Sequence, residues 1–390
     1  MKTARRIDNL PPYLFAELDK KVKQAKAKGV DVISFGIGDP DRPTPGHIVE
    51  AGAAALRDPA THHYPSYYGM PEFRQAVAAF YARRFGVTLD PETQVLPLIG
   101  SKEGIAHLAT AFVDPGDGIL VSDPGYPVYE LGAILAGGRA LPLPLRADND
   151  FLPDYSTVSP ADAAAAKILW INYPANPTAA VCGLDTFEEA VQYSRNNDLL
   201  LAHDSAYSEI TYDGFVAPSV LQVEGALDVA VEFGSLSKTF NMTGWRVGWC
   251  VGSEEAIEAL GRVKTNIDSG IFNALQLAGI AALEGPQDHV AETVEIYRRR
   301  RDMVVGALNS CGWSLKAPRG AMYIWTPVPE GQTSASFCEF LLEKAGVVVA
   351  PGSGYGAGGE GFVRFSLTLA DERVREGMDR VAKVMGQVGA

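Results

Sequence analysis

The stretch SLSKTFNMTGWR, residues 235–246, follows the apolar run 229–233 and places a lysine, hydroxyl groups and an arginine close together in the chain. A lysine amine can condense with an aldehyde to form an imine, and a planar, permanently charged arginine can hold a phosphate. The segment that contains Lys238 and Arg246 therefore predicts a binding site for a ligand with an aldehyde and a phosphate group. In isolation such a segment is more often an ordinary surface loop, so this interpretation depends on its neighbours.

Short apolar runs alternate with longer helical segments over most of the chain, which is typical of an α/β protein. Nearly continuous apolar runs predict buried strands at residues 95–99, 119–122, 168–172, 199–202, 229–233 and 247–251. Helices predicted at 102–112 and 187–196 fit between strands as crossovers. Beyond about residue 285, a charged helix at 289–308 and candidate strands at 323–327, 347–350 and 363–367 predict a second, α+β region.

Polar side chains follow several of these strands. Asp204 lies where an open α/β sheet binds its ligand, and it could pair with a protonated ring nitrogen. Tyr207, three residues later, and Asn176, in the turn NYPANPT at 172–178, could reach a ring hydroxyl. The two Xaa-Pro bonds of that turn favour extended or turn geometry and could include a cis bond. Each feature alone has an ordinary structural explanation, as a helix cap or a rigid loop.

Two further strand ends complete the pattern. Gly100 and Ser101 open an amphipathic helix, whose free N–H groups and positive dipole end suit a phosphate. Tyr126, in DPGY at 123–126, could place an aromatic ring over a planar ligand. Because five strand ends offer complementary contacts, chance is a poor explanation.

Composition excludes several other classes of protein. With 34 basic and 47 acidic residues, the formal charge of −13 disfavours binding to nucleic acid. The four cysteines show no metal-binding or disulfide-scaffold spacing, so no metal site and a reducing, cytoplasmic location are predicted. No apolar run is long enough for a membrane span, and no secretory signal is predicted.

Taken together, these segments resemble the class I and II aminotransferases, which are fold-type I enzymes that use pyridoxal 5′-phosphate (PLP). The resemblance covers nearly the whole chain and is greatest to LL-diaminopimelate aminotransferases and their aspartate and alanine aminotransferase relatives. It rests on PPYLF at 11–15, GIGDPD at 36–41, GSKEGI at 100–105, SLSKTFNMTGWRVGW at 235–249 and GEGFVRFSL at 359–367. It implies a large, mostly parallel sheet domain over 46–285, an α+β small domain over 286–390, and an N-terminal arm with part of the small domain over 1–45.

The resemblance also implies roles for individual residues. Lys238 would be the Schiff-base lysine, Asp204 the partner of the pyridine nitrogen, Tyr207 and Asn176 the ring-hydroxyl contacts and Tyr126 the stacking ring. Arg364 would grip the substrate α-carboxylate as a bidentate fork. The remaining implied contacts are Ser101, Lys102, Ser235, Ser237 and Arg246 for phosphate, Tyr64 and Asn273 supplied by a neighbouring subunit of a homodimer, and Tyr13, Gly38, Lys102 and Asn176 for substrate.

Substrate choice stays open between LL-diaminopimelate and aspartate or alanine, each with 2-oxoglutarate. Residues 266–270 contain no arginine for a distal carboxylate. Asp268 could instead favour a distal ammonium and Lys102 a distal carboxylate, which places LL-diaminopimelate first. A PLP-dependent β-lyase and, less readily, a regulatory protein with an aminotransferase-like module are the other candidates.

Three local patterns carry expectations of their own. Ala179 stands where many relatives have glycine, and we expect it to have an ordinary φ. Residues 354–359 match GxGxxG, but a strand follows them, so the pattern does not indicate dinucleotide binding. The arginine run 298–301 is expected to be a solvated helix face.

Overall fold

A computed structural model describes the backbone of residues 1–11 and 14–386 and the side chains of residues 1–11 and 19–386. The strands are β1 Ile33–Ser34, β2 Val95–Leu98, β3 Gly118–Asp123, β4 Arg139–Pro144, β5 Ala166–Asn172, β6 Leu200–Asp204, β7 Ala230–Ser235, β8 Gly248–Gly252, β9 Tyr323–Pro327, β10 Val347–Val348, β11 Ala350–Pro351 and β12 Phe362–Ser366.

The α-helices are α1 Arg5–Asp8, α2 Leu14–Ala27, α3 Gly46–Arg57, α4 Pro71–Phe85, α5 Ser101–Phe112, α6 Val128–Ala136, α7 Pro160–Ala165, α8 Leu184–Asn196, α9 Ala226–Val229, α10 Leu236–Thr239, α11 Glu254–Thr265, α12 Asn273–Glu284, α13 Asp288–Ser310, α14 Ser334–Ala345 and α15 Asp371–Met385. Within the described part of the chain, no helix is both long and apolar enough to cross a membrane.

Seven strands form one sheet in the order β2-β8-β7-β6-β5-β3-β4. Strand β8 is antiparallel to both of its neighbours, and the remaining pairs are parallel. The predicted mostly parallel sheet is therefore confirmed, with strand ends within two residues of those expected. The prediction missed β4, whose sequence RALPLP contains two prolines. An edge strand tolerates proline because one side of its backbone has no partner strand, and β4 lies at the edge.

A smaller antiparallel sheet, β11-β12-β9, and the parallel pair β1-β10 lie in the other part of the chain. The predicted strand at 347–350 is divided between β10 and β11. The hydrophobic core of this part of the molecule combines buried residues of the C-terminal third of the chain with Ile33, Phe35 and Tyr207. Since β1 pairs with β10, the N-terminal segment joins this region. The exact division of domains at residues 45 and 285 stays a prediction.

Two local expectations are wrong. Ala179 is buried and has a φ of 57°. This conformation closes the turn, because it lets the N–H of Ala179 donate to the carbonyl of Ala175 at 3.0 Å. The arginine run is only half solvated. Arg300 and Arg301 are each 3% exposed, and their side chains pair with Asp41, Asp371 and Asp213. A helix of 3.6 residues per turn cannot expose four consecutive side chains, so two of them face inward.

Candidate active site

One cavity of about 430 Å³ brings together most of the predicted site residues. Five strands deliver side chains to it from their carboxyl ends or from the turns that follow: β2, β3, β5, β6 and β7. The predicted residues that line it are Gly38, Ser101, Lys102, Tyr126, Asn176, Asp204, Tyr207, Ser235, Ser237, Lys238, Arg246 and Arg364. Parallel strands place their carboxyl ends at one edge, which explains why segments far apart in sequence meet there.

The first turn of α5 and the Arg246 guanidinium form a cationic and N–H-rich part of this cavity. Gly100, the residue before α5, has φ 74°, and a Cβ there would collide with Nη2 of Arg246. Arg246 donates from Nη1 to the carbonyl of Thr243 at 2.8 Å, which fixes its side chain. Ser235 caps the short helix α10 by accepting from the N–H of Ser237 at 3.1 Å.

Asp204 is a buried carboxyl group with a tyrosine partner. The hydroxyl of Tyr129 donates to its Oδ2 at 2.8 Å, and the backbone N–H of Ala206 donates to its Oδ1 at 3.3 Å. The Tyr129 ring stacks on Trp170 with centroids 4.9 Å apart. Burial raises the pKa of Asp204, although the Tyr129 hydrogen bond opposes that shift. A cationic group beside this carboxylate would favour its ionised form.

Lys238 extends from α10 into the cavity and donates from Nζ to the carbonyl of Gly38 at 2.8 Å. Burial lowers the pKa of Lys238 to about 8, and the negative charge of Asp39 partly opposes that change. A lysine with such a pKa has a substantial neutral fraction near physiological pH, which a nucleophile or a general base requires.

Arg364 lies in β12 and is 1% exposed. Its Nη1 donates to Asn176 Oδ1 at 2.7 Å, and its Nη2 donates to the carbonyl of Gly36 at 2.9 Å. Its Cζ lies 4.1 Å from the centroid of the Tyr323 ring, and the hydroxyls of Tyr323 and Tyr207 are 2.8 Å apart. These contacts orient a buried guanidinium that lines the cavity.

Two predicted residues within the described part of the chain are not among those that line the cavity. Tyr64 is 85% exposed and Asn273 begins α12 at the surface. Tyr13 lies outside the described residues.

Asp268 was expected to meet a distal ammonium, but both of its oxygens accept from Lys264, at 2.8 and 2.9 Å. The buried Lys264 ammonium needs this partner, so the Asp268 carboxylate is already engaged.

Several lining residues escaped the sequence reasoning: Asp19, Ile37, Asp39, Ala206, Thr243 and Tyr323. Ile37 and Asp39 flank Gly38 in the GIGDPD motif, so that motif could have indicated them. Tyr323 begins a buried strand and carried no comparable signal. Tyr129 was also missed. It lies in the first turn of α6, three residues after Tyr126, and the two rings pack edge to face with centroids 5.9 Å apart. Among the described residues, no group of three or more His, Cys, Asp or Glu could hold a metal ion.

Known proteins resemble this chain over its full length. The family model for class I and II aminotransferases matches residues 30–381. An LL-diaminopimelate aminotransferase of Desulforudis audaxviator is 57% identical over 99% of this chain and 98% of its own length. One of Moorella thermoacetica is 54% identical over the whole of both chains. A substrate-bound structure of BacF from Bacillus subtilis superposes with a TM-score of 0.94 at 37% identity, covering 99% of this chain and 98% of that one.

Proposed function

This chain belongs to the class I and II aminotransferases, and we propose that it transfers an amino group between LL-diaminopimelate and 2-oxoglutarate with PLP as its cofactor. Aminotransferase activity follows from the family. The observation that carries the choice of LL-diaminopimelate is the full-length similarity, at 50–57% identity, to relatives that bear that name. The site residues below are part of the same proposal.

The donor set of the cavity fits PLP. The α5 N-terminus, the hydroxyls of Ser101, Ser235 and Ser237 and the guanidinium of Arg246 suit a dianionic phosphate. The close approach of Arg246 to Gly100 forms a cradle that a Cβ at residue 100 would fill. Asp204 suits a protonated pyridine nitrogen, and Lys238 suits covalent attachment of the aldehyde. Tyr126 would stack on the ring.

PLP, when bound, supplies an electron-accepting ring that stabilises negative charge at the substrate Cα. Asp204 would keep the ring nitrogen protonated, and the Tyr129 hydroxyl would hold that carboxylate in place. Arg364 would bind the substrate α-carboxylate, while Asn176, whose Oδ1 accepts from Arg364, would donate its amide N–H to the ring hydroxyl. Released from the cofactor, Lys238 would move a proton from the substrate Cα.

The cavity also carries charges that suit a zwitterionic distal end. Asp39 and Asp19 line it, and so does Lys102. We assign the distal ammonium to the two aspartates, in place of Asp268, and the distal carboxylate to Lys102. Asp39→Asn should raise KM for LL-diaminopimelate several-fold and leave KM for alanine unchanged, because alanine has no distal ammonium. Equal effects on both substrates would contradict the assignment.

A half-reaction panel tests the proposed function directly. The purified holoenzyme is mixed with LL-diaminopimelate, aspartate or alanine without an acceptor, and loss of the cofactor absorbance band is recorded. LL-diaminopimelate should react fastest, and 2-oxoglutarate should restore the band. Aspartate or alanine is the second candidate, because the engaged Asp268 carboxylate removes one expected contact for a distal ammonium. If aspartate or alanine alone reacts, that candidate replaces the first; release of pyruvate and ammonia without an acceptor would identify a β-lyase.

We further propose a homodimer with shared active sites. Tyr64, Tyr67, Tyr68, Ile267 and Phe272 are large and exposed. The two segments that carry them are in contact, since the position of a Gly270 Cβ would lie 2.7 Å from the Ser66 carbonyl. Apolar surface of this kind is common where a second subunit binds.

Subunit complementation tests both the dimer and the shared site. Lys238→Ala and Tyr64→Ala subunits are each expected to be weakly active, but a mixed dimer would contain one site with neither change. Mixing after dissociation should therefore restore up to half the wild-type activity per mixed dimer. Failure to restore activity in dimers shown to be mixed would place Tyr64 outside the partner's site. The cytoplasmic location stays a prediction that cell fractionation can check.

A further inference from the structure

The glycine-rich segment at residues 352–361, here called the glycine loop, connects the two sheets. It joins β11 to β12, so the three-stranded sheet carries it. Its contacts reach the end of β3 in the seven-stranded sheet. Gly358 donates its N–H to Asp123 Oδ1 at 2.8 Å, and Gly125 donates its N–H to the carbonyl of Tyr355 at 2.8 Å. Gly125 immediately precedes Tyr126, so the glycine loop holds the turn that presents the stacking ring.

The spacing of glycines in this loop reflects a close approach to Asp123. At Gly356 the φ is 115°, and a Cβ would collide with Asp123 Oδ1. At Gly358 a Cβ would lie 2.7 Å from the Asp123 carbonyl oxygen. Side chains at these positions would separate the two segments. The GxGxxG pattern at residues 354–359 is therefore explained by the close contact between the glycine loop and Asp123, and not by dinucleotide binding.

Tyr355 joins this contact to the arginine of the site. Its carbonyl accepts from Gly125, and its buried ring lies with its centroid 5.0 Å from Cζ of Arg364. Trp325 packs edge-on against the same ring, with centroids 6.0 Å apart. An aromatic ring beside a desolvated guanidinium both attracts its charge and restricts its position. One residue thus contacts the turn of Tyr126 through its backbone and Arg364 through its side chain.

We propose that the glycine loop is a positioning element for substrate, in which Tyr355 sets the location of Arg364 relative to the Tyr126 ring. This rests on the proposed function, because it takes Arg364 as the group that binds the substrate α-carboxylate. The loop contributes no predicted contact to the phosphate or to the ring nitrogen. Its disruption should therefore weaken the binding of amino acids and 2-oxo acids while the affinity for PLP is preserved.

Tyr355→Leu tests this by removing the ring while keeping an apolar side chain. KM for the amino donor and for 2-oxoglutarate should both rise roughly 3- to 30-fold, the range expected for loss of a buried cation–π contact. Tyr355→Phe, which keeps the ring, should recover most of that loss. Calorimetry with glutarate, a carboxylate that cannot react, should show the same order of affinities. Unchanged substrate affinity in Tyr355→Leu, or an equal loss of PLP affinity, would overturn the proposal.

A double-mutant cycle separates positioning from general destabilisation. In an Arg364→Ala background, Tyr355→Leu should add little to the loss, because the group that it positions is gone. Fully additive effects would contradict the proposal. If wild-type holoenzyme transaminates but Arg364→Ala leaves KM unchanged, the assignment of Arg364 fails; if wild-type does not transaminate, the proposed function itself fails.

Gly356→Ala provides a second route should Tyr355→Leu fail to fold. Gly361→Ala is its matched control, because Gly361 also has positive φ, 83°, but a Cβ there meets nothing within 4 Å. Both changes strain the backbone, and only Gly356→Ala pushes the loop from Asp123. Glutarate affinity should fall several-fold in Gly356→Ala alone. Equal affinities in the two variants would show that the contact with Asp123 does not position the site.

Discussion

The two sides of the cavity are built in different ways. On the sheet side, Asp204 ends strand β6 of the seven-stranded sheet, and four residues follow other strands of that sheet by a few positions: Ser101, Tyr126, Asn176 and Lys238. Three other lining residues, which we call the closing side, lie outside that sheet, in segments near the two ends of the chain: Gly38, Tyr323 and Arg364. Arg364 contacts the carbonyl of Gly36, 328 residues away. The groups proposed to bind the cofactor thus depend on local strand–turn–helix geometry, and the groups proposed to bind the substrate depend on long-range packing.

Lys238→Ala should have the largest effect, because Lys238 is proposed both to attach the cofactor and to act as the base. It is also a sheet-side residue that contacts the closing side, through the carbonyl of Gly38. Loss of the base and of the covalent link should lower kcat by about 10⁴-fold or more. Single-turnover kinetics would measure this, with borohydride reduction and peptide mapping to locate the attached cofactor. Turnover close to wild type would remove Lys238 from the mechanism.

Arg364→Ala and Arg246→Ala should separate the two sides. Loss of a buried bidentate contact in Arg364→Ala should cost about 2–5 kcal/mol in kcat/KM for amino acids, while the cofactor spectrum stays intact. Arg246→Ala should instead weaken PLP binding. Fluorescence titration with PLP and steady-state kinetics would measure both. If Arg364→Ala loses PLP as readily as Arg246→Ala does, the two sides do not have distinct roles.

Attachment of PLP to the apoenzyme should accelerate as pH rises to about 8 and then level off. Burial disfavours the ammonium, so the pKa of Lys238 lies well below 10.5, and only the neutral amine reacts. Below that pKa the rate should increase about tenfold per pH unit, since the neutral fraction does. Stopped-flow absorbance would record the profile. Asp39→Asn should move it to lower pH, because Asp39 raises this pKa; a profile that levels off near pH 10 would contradict the burial argument.

Tyr129→Phe should have a moderate effect confined to the sheet side. It removes one hydrogen bond to Asp204 and preserves the stack on Trp170. Leaving a buried carboxylate with one partner fewer should cost about 1–3 kcal/mol. We expect lower kcat and weaker PLP binding with little change in the affinity for glutarate. A selective loss of glutarate affinity would assign Tyr129 to the closing side.

Ala179→Gly should have the smallest effect. Ala179 ends the turn that follows β5 of the seven-stranded sheet, and its side chain packs in the hydrophobic core that contains Tyr323 of the closing side. Because φ is 57°, glycine should relieve strain and stabilise the fold by about 1 kcal/mol, with activity unchanged. Urea denaturation of Ala179→Gly beside wild type would measure the difference. A less stable variant would mean that the lost methyl contact outweighs the strain.

Local sequence was enough to predict much of the sheet side. Buried parallel strands have continuous apolar runs, and polar residues directly after them must lie at one sheet edge, so Asp204 and Lys238 could be identified without coordinates. Edge strand β4 was missed because two of its six residues are prolines, which are more typical of loops than of strands. The positive φ of Ala179 was missed because it is imposed by a hydrogen bond that closes the turn.

The amino-acid sequence alone determined the fold class, the strand ends that form the cavity and the chemistry of the groups proposed to bind the cofactor, because these depend on short-range patterns of polarity and backbone preference. Only the tertiary structure revealed that Tyr129 supports Asp204, that Lys264 engages Asp268 and that Tyr355 lies beside Arg364. Tyr129 and Asp204 are 75 residues apart, so their contact depends on tertiary packing. Lys264 and Asp268 are only four residues apart, but the burial that makes Lys264 depend on this carboxylate is visible only in the coordinates. Tyr355 lies in the glycine loop and Arg364 in the strand that follows it, and their contact depends on how that loop folds back. The local pattern of polarity specifies neither the burial of Lys264 nor the positions of the two tyrosine rings.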